Sequence, residues 1–378
     1  MPEDSLFPLP GATLDAMRAL IDALPEPVML VARNGVVQAA NQAAADLFGP
    51  HIQGARVRAH LRQPEVAAML EAAFDLIDDS TRAHAARMVI TEPAAETTWQ
   101  VTARALPEGA GFAGLVISLH DISHREAAEA QRRDFVANVS HELRSPLTVL
   151  AGFIETLQGA AAQDAHARQE FLAIMSREAE RMTGLVQDLL SLSRVEGSER
   201  IRPRNPVAID DVLRATIAAL RPQIDAAGLA LELSLTDDLP SIPGDHDQLV
   251  QVFHNLLENA VKYGGAGGRI DISGRVLRAC PGLEGPVLRV AVTDYGDGVD
   301  PIHIPRLTER FYRVDRARSR DQGGTGLGLA IVKHILNRHR GRLVIRSNPD
   351  TGSTFEVLLP CTAPVAPPSA APEPPLSS

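Results

Sequence analysis

The chain has 378 residues, 45% of them hydrophobic and 22% charged, with a formal net charge of -10. That is material for two or three domains with ordinary cores, and the acidic balance argues against a nucleic-acid-binding surface over the whole molecule. The two cysteines, Cys280 and Cys361, lie far apart without CxxC spacing, which excludes a disulfide framework and reads as two reduced thiols.

The first residues, "MPEDSLFPLP", carry acids and no basic n-region, so they are not a signal peptide. No window approaches the ~18 apolar residues of a spanning helix. The longest candidate, Gly109 to Leu119, suits a buried strand better. As given, the chain reads as soluble and cytoplasmic. "LDAMRALIDAL" (14 to 24) has helical spacing and stops at Pro25. "VMLVA" and "GVVQAA" follow as short strands around the turn signal Asn34-Gly35. "NQAAADLFG" is a helical piece that closes on Gly49. "RMVIT", "TWQVTARAL" and "GFAGLVISLHD" then read as strands of an antiparallel sheet. These elements make a small α+β unit over 13–122. His51, His60, His84 and His120 lie in it, but nothing favours haem over surface histidines, so no cofactor is expected there.

From 124 to 197 the pattern is two long amphipathic helices with a short link near Gly159 to Asp164. A hairpin alone buries little, so its stripe predicts a second copy, a four-helix bundle and hence a homodimer. On the first helix, with Phe135 at zero and about 100° per residue, Val139, Leu143, Leu147, Leu150, Ile154 and Leu157 fall in an arc from roughly 0° to 120°. His141 lands near 240°, on the wet face, with Asn138, Ser145 and Thr148 close to it. Core packing is disfavoured, and zinc lacks ligand-type partners at i+3 and i+4. Pro146 predicts a bend just after the histidine, and Glu142 is an adjacent base or orienting group. An exposed imidazole has a nucleophilic lone pair near neutral pH. On this helix alone, a solvated surface histidine and a nucleophile both remain open.

From 204 to 361 strands and helices alternate. In "DQLVQVFHNLLENAVKY" (247 to 263), Leu249, Val252, Phe253, Leu256, Leu257 and Ala260 share one face. Asn255, Glu258, Asn259 and Lys262 gather on the other, a set that suits Mg²⁺ and phosphate or a solvated helix face equally. "VAVTDYGDGVD" runs a strand into Asp294, then Gly296 and Gly298, which lets the backbone approach a flat ligand whose exocyclic amine the carboxylate accepts. Many hairpin turns look alike. "DQGGTGLGLAIVKHIL" places Gly323, Gly324, Gly326 and Gly328 at the start of an apolar-periodic helix, where free N–H groups cradle phosphates. It is neither a Walker A loop nor a Rossmann fingerprint. Between the glycine stretches, Arg306, Arg310, Arg313, Arg316, Arg318 and Arg320 with Phe311 and Tyr312 read as a basic lid or a solvated loop. In this order the four features are far more specific than any one. The tail, 362–378, has six prolines between 364 and 375 and is expected to be disordered.

These motifs resemble those of the sensor histidine kinases of two-component systems, over roughly 130 to 360. "SHELRSPLT" is similar to their phospho-acceptor box. "HNLLENAVKY", "DYGDGV", "ERFYRVD", "GGTGLGLAIVK" and "GSTF" (352 to 355) are similar to the N, G1, F, G2 and G3 boxes of their ATP-binding domain. The phrases "FVANVSHELRSPLTVLAGFIETL" and "ARSRDQGGTGLGLAIVKHIL" are most similar to the phosphate-regulon sensor kinases. Asn41 before "AAADLFG" and the exit "LHDISHRE" resemble a PAS domain. The resemblance implies a multidomain α+β chain: a PAS-like α+β sensor domain, a dimeric helical-hairpin (four-helix bundle) domain, and an α/β-sandwich ATP-binding domain of the histidine kinase/GHKL type.

It also implies roles. His141 is the phosphorylated residue, with Glu142 its acidic partner. Asn255, Glu258 and Asn259 hold Mg²⁺ and the phosphates of ATP, with Lys262 and Tyr263 beside them. Asp294 accepts the adenine amine, and Arg313 meets the γ-phosphate. Gly296, Gly298, Gly324, Thr325, Gly326, Leu327 and Gly328 shape the pocket. Ser145 stands where kinases that also dephosphorylate their partner carry Thr or Asn, and it keeps a hydroxyl without the stiffness of Thr. The expected reaction is autophosphorylation of His141 and transfer to an aspartate of a separate response regulator with a receiver domain, in phosphate-starvation signalling. Membrane segments that usually precede the PAS domain are not seen, so either a membrane transporter or its regulator is a docking partner, or the chain starts downstream of an anchor. Two alternatives stand beside this: a GHKL-type ATPase clamp without histidine phosphorylation, and a PAS dimerisation module with an inactive kinase.

Overall fold

A computed structural model describes residues 10–75, 83–91, 96–106, 114–159, 164–198, 201–236, 239–314 and 324–361. The chain divides into two compact units between Ala137 and Asn138. Among the described residues no helix is long and apolar enough to cross a membrane. The expected disordered tail, 362–378, and the lid positions Arg316, Arg318 and Arg320 lie outside the described residues.

The first unit is built on an antiparallel sheet of order β2-β1-β5-β4-β3. Its strands are β1 (Val28–Ala32), β2 (Val37–Ala40), β3 (Ala83–Thr91), β4 (Glu96–Leu106) and β5 (Gly114–Asp121). Its helices are α1 (Pro10–Asp22), α2 (Gln42–Phe48), α3 (Val57–His60) and α4 (Pro64–Asp75). The last two are not among the predicted elements, although Val66, Met69, Leu70 and Ala73 of α4 are buried at helical spacing. Alternation along β1 explains why both faces of the sheet are covered. Met29 and Val31 join the larger core with Leu70, Leu115, Ile117 and Leu119, while Val28 and Leu30 pack with Ile21 of α1. Gly35 at φ 78 makes the β1–β2 turn, and Gly49 at φ 94 ends α2.

Asn41 ties this unit together. Its Oδ1 accepts from Val28 N and Ala44 N, both at 3.0 Å. Its Nδ2 donates to the carbonyls of Ile21, Leu24 and Glu26 at 3.1, 3.1 and 2.7 Å. One buried amide therefore caps α2, fixes the start of β1 and stops the chain after α1. At the far end, Ser123 N donates to Asp121 Oδ1 and Thr98 N donates to Ser123 Oγ, each at 2.8 Å. These bonds fix the exit from β5 into α5 (Ser123–Gln158), and the hydroxyl and backbone N–H of Ser123 hold the Asp121 carboxyl below its usual range.

In the second unit, α5 continues and pairs with α6 (Ala165–Ser198). α5 passes through Pro146 without interruption, and the proline is buried. Rings of Phe153 and Phe171 meet at 4.9 Å, and Asp164 Oδ1 accepts from the backbone of His166 and Ala167 at the start of α6. Leu147, Ile154, Leu172 and Leu190 remain 53%, 43%, 52% and 54% exposed. The rest of the unit is a sheet of order β11-β12-β10-β9-β7 with α7 (Ile209–Ala226), α8 (His246–Tyr263) and α9 (Gly328–Arg338) packed with it. The strands are β7 (Ala230–Leu235), β9 (Arg269–Leu277), β10 (Val287–Asp294), β11 (Arg342–Asn348) and β12 (Gly352–Pro360). Among the described residues of this sheet, only the β7–β9 pairing is parallel. A separate ribbon joins β6 (Asn205–Val207) to β8 (Ile242–Gly244). The six apolar residues expected on one face of α8 are all fully buried, which turns the opposite edge toward a cavity.

Candidate active site

Because the apolar face of α8 is locked into the core, its polar edge has a fixed direction. Asn255, Glu258, Asn259, Lys262 and Tyr263 all line one cavity. Asn255 is nearly buried, and its Nδ2 donates to the carbonyl of Gly328 at 3.2 Å, which joins α8 to the first turn of α9. Lys262 Nζ lies 2.8 Å from Glu258 Oε1, one helical turn back. This pair neutralises a carboxylate beside two amides and leaves the remaining ammonium protons to other acceptors.

Asp294 closes another wall, at the end of β10. Its carboxylate is 3% exposed, and Oδ1 accepts from Gly296 N at 3.1 Å and Ser353 N at 3.3 Å. Burial pushes this carboxyl up from the usual range, and the two backbone donors pull it partly back. Both of these bonds use Oδ1, so Oδ2 remains to accept from a ligand. The glycines here serve close approach. A Cβ on Gly296 would strike the carbonyl of Tyr263, and one on Gly352, at φ 83, would strike the carbonyl of Asp294. Three segments distant in sequence thus cross at the Asp294 carboxylate.

The Gly-rich loop forms the third wall. Gly324, Thr325, Gly326 and Gly328 line the cavity with Gly298 and Arg313. Gly326 at φ 72 is packed against the backbone of Phe311. Leu327 is not among the residues lining the cavity; its side chain is fully buried in the core and anchors the loop. Thr325 hydroxyl accepts from Leu327 N at 3.3 Å and donates to Asp188 Oδ2 at 2.6 Å. Asp188 comes from α6, so the hairpin contributes a carboxylate to this cavity. Burial raises its carboxyl above the usual range, and the Thr325 bond opposes that rise.

A second cavity contains Asn138, His141, Glu142 and Ser145 of α5, Arg181 of α6, and Phe311 and Arg313. His141 is exposed, as the wheel predicts. Arg181 Nη2 donates to Glu142 Oε2 at 2.8 Å across the hairpin, and Arg181 also lies 3.4 Å from Glu178. Arg313 lines both cavities. Two arginines of the expected basic segment are used elsewhere. Arg310 reaches Glu196 of α6 at 2.5 Å, and Arg306 stacks over the Tyr312 ring at 4.3 Å.

Asp188, Arg181 and Ser353 are site neighbours to which the sequence patterns assign no role. Ser353 lies within the quoted "GSTF" and was legible as part of that motif. Asp188 and Arg181 share a helix face with Leu185, Leu192 and Val195, which are buried, so a charged group set in an apolar stripe was the local signal that could have marked them.

Comparison with known proteins gives matches along most of this architecture. Residues 244–363 match the family model for histidine kinase-, DNA gyrase B- and HSP90-like ATPases, and 131–198 that for the His kinase A (phospho-acceptor) domain. Residues 17–82 match a PAS domain. The phosphate regulon sensor protein PhoR of Pseudomonas aeruginosa is 46% identical over 242 residues, 63% of this chain and 52% of that protein. The sensor-like histidine kinase SenX3 of Mycobacterium tuberculosis is 40% identical over 248 residues, 65% of this chain and 58% of that protein. The chain therefore spans somewhat more than half the length of these relatives. A crystal structure of histidine kinase ThkA in complex with response regulator protein TrrA shares the fold. Its TM-score is 0.50 at 18% identity, covering 91% of this chain and 98% of that one.

Proposed function

We propose that this chain, which belongs to the PAS-containing sensor histidine kinases akin to PhoR, binds ATP between α8 and α9 and phosphorylates itself on His141. The phosphoryl group then passes to an aspartate of a separate response regulator. The observation that carries this reading is Arg313, which lines both the cavity holding His141 and the cavity holding Asn255, Asp294 and the Gly-rich loop. A guanidinium shared by both sites is placed to meet the phosphoryl group that moves between them.

In the proposed reaction, Asp294 Oδ2 accepts from the adenine amine, while Thr325 and the backbone of the glycine loop face the phosphates. One ring nitrogen of His141 attacks the γ-phosphorus. The P–N bond forms as the bond to the β-phosphate oxygen breaks, ADP leaves, and the proton on the other ring nitrogen is taken up by Glu142, which Arg181 holds in place. Catalysis here is mainly positioning and neutralisation of charge by Arg313 and Lys262. Among the described residues no group of three or more His, Cys, Asp or Glu forms a metal cage. One carboxylate and two amides, Glu258, Asn255 and Asn259, suit a magnesium ion that keeps waters and phosphate oxygens as its other ligands. Bound there, Mg²⁺ would neutralise phosphate charge. Ser145 beside His141 places a hydroxyl for a water that returns the regulator to its unphosphorylated form.

The working division is a PAS sensor over 13–122, a hairpin over 124–197 and an ATP-binding domain over 204–361. The exposed leucine stripe of the hairpin supports a homodimer. Phosphate-starvation signalling is the assignment supported by the likeness to PhoR. Two free cysteines and the use of ATP fit a cytoplasmic reaction. The test is incubation with γ-labelled ATP and Mg²⁺ of the wild type and of His141→Gln, followed by acid and alkali. Label that is alkali-stable, acid-labile and absent from the variant is expected. Hydrolysis without label on either protein would point instead to a clamp-type ATPase.

A further inference from the structure

The second half of α6 is fastened to the ATP-binding domain along its length. Leu185, Leu192 and Val195 are buried, and Gln251 Nε2 donates to Ser191 Oγ at 2.6 Å. Glu196 receives Arg310 and lies 3.5 Å from His334. Within this seam one contact differs in kind. The others bind Gln251, Arg310 and His334, which do not line the cavity, whereas the Asp188–Thr325 bond at 2.6 Å takes a hydroxyl of the Gly-rich loop itself. Thr325 stands at the start of α9, where the helix end and free N–H groups favour an anion. Asp188 places a carboxylate against that end from the hairpin side.

We propose that Asp188 is a built-in competitor for the Gly-rich loop, so that the terminal phosphate of a nucleotide and the Asp188 carboxylate exclude one another at Thr325. This rests on the ATP-binding reading above and deepens it. A hydroxyl has one proton to donate, so Thr325 cannot serve the carboxylate and a phosphate oxygen together. The carboxylate also shares a cavity with Glu258, and Lys262 and Arg313 are the cations that offset these negative groups there. Adding a phosphate to that space without moving Asp188 sets like charges close together in a partly desolvated site. Nucleotide binding therefore loosens this stretch of α6 at Asp188, and the Asp188–Thr325 bond weakens the hold on nucleotide by the same factor, because the coupling is reciprocal. Asp188 is a positioning residue in this account: it acts through Thr325 and touches no reacting atom.

The test uses the full chain with Mg²⁺ and compares a non-hydrolysable ATP analogue with ADP by calorimetry, in the wild type, Asp188→Asn and Asp188→Ala. Asn keeps an acceptor for Thr325 and removes the charge, while Ala removes both. The analogue is expected to bind roughly tenfold more tightly to Asp188→Asn, with a smaller gain for ADP, which carries one charge fewer. Amide exchange across 185–195 should rise on adding the analogue to the wild type. Equal gains for both nucleotides would reduce Asp188 to a structural tether and overturn the proposal. So would unchanged affinities, or exchange that does not respond, and in those cases the ATP-binding reading survives. Failure of every protein to bind either nucleotide would remove both together.

Discussion

Asp294 shows how a single side chain depends on its surroundings. The carboxylate is buried, yet two backbone N–H groups stabilise its charge, so it stays an acceptor where an isolated acid would be costly. Asp294→Asn retains an oxygen for those donors and loses the charge-assisted bond to an amine. Nucleotide affinity should drop about tenfold or more with the fold unchanged, measured by calorimetry. Asn41 is the counterpart in the first unit. Asn41→Ala leaves two buried N–H groups and three carbonyls without their partner, for a cost of about 3 kcal/mol or more. Asn41→Asp keeps the acceptor and turns a carboxylate toward three carbonyl oxygens, so it should be no better. Scanning calorimetry of the full chain should show one transition falling in each variant; an unmoved transition would mean that the network is dispensable.

The helices have to be considered as whole elements. On α8 a fully apolar face fixes the direction of five polar residues at once, so rotation of this one helix would disperse the site. The hairpin differs, because its stripe is only half used. Leu147, Ile154, Leu172 and Leu190 stay exposed at 43% or more, an arrangement expected of an element that closes against a second copy. Leu147→Glu with Leu190→Glu should weaken self-association by roughly tenfold or more, because two charges would have to be buried. Light scattering over a dilution series will tell. An undiminished dimer would place the contact on another surface. Pro146 lies within α5, and the helix continues through it, since tertiary packing around the buried ring outweighs the local cost of a lost hydrogen bond.

In the molecule as a whole, α8 and α9 are coupled far from the cavity by His339. Its Nδ1–H donates to the carbonyl of Ile335 at 2.8 Å, and Nε2 accepts from Asp245 N at 3.0 Å, at the cap of α8. The ring is therefore neutral, and burial lowers its pKa in the folded state. A lowered folded value means that the unfolded chain takes up the proton first as the pH falls. The contribution to stability is complete above about pH 6.5, the ordinary histidine value, and is lost below it toward the folded pKa. Melting curves of the wild type should thus move downward on acidification through that window, and His339→Gln should flatten the slope. If the slopes match, other groups set the acid limit.

Much of this chemistry was readable locally, because periodicity reports which face of an element is buried and glycine marks backbone that must turn or approach closely. The apolar face of α8, Asp294 before its glycines, the loop before α9 and the wet side of His141 are all of this kind. The burial of the Leu327 side chain and the partner of Asp188 were not readable. Leu327 sits inside a ligand-binding motif, yet its side chain serves the core, and the motif alone cannot separate the two duties. Asp188 meets Thr325 across 137 positions of chain, and Arg313 joins two cavities only because α5, α6 and the ATP-binding domain pack as one unit. Sequence by itself determined the chemical groups and the faces that carry them, since these depend on neighbours a few residues away. Tertiary structure decided which groups share a hydroxyl, a carboxylate or a cavity, because packing of elements remote in the chain sets those distances.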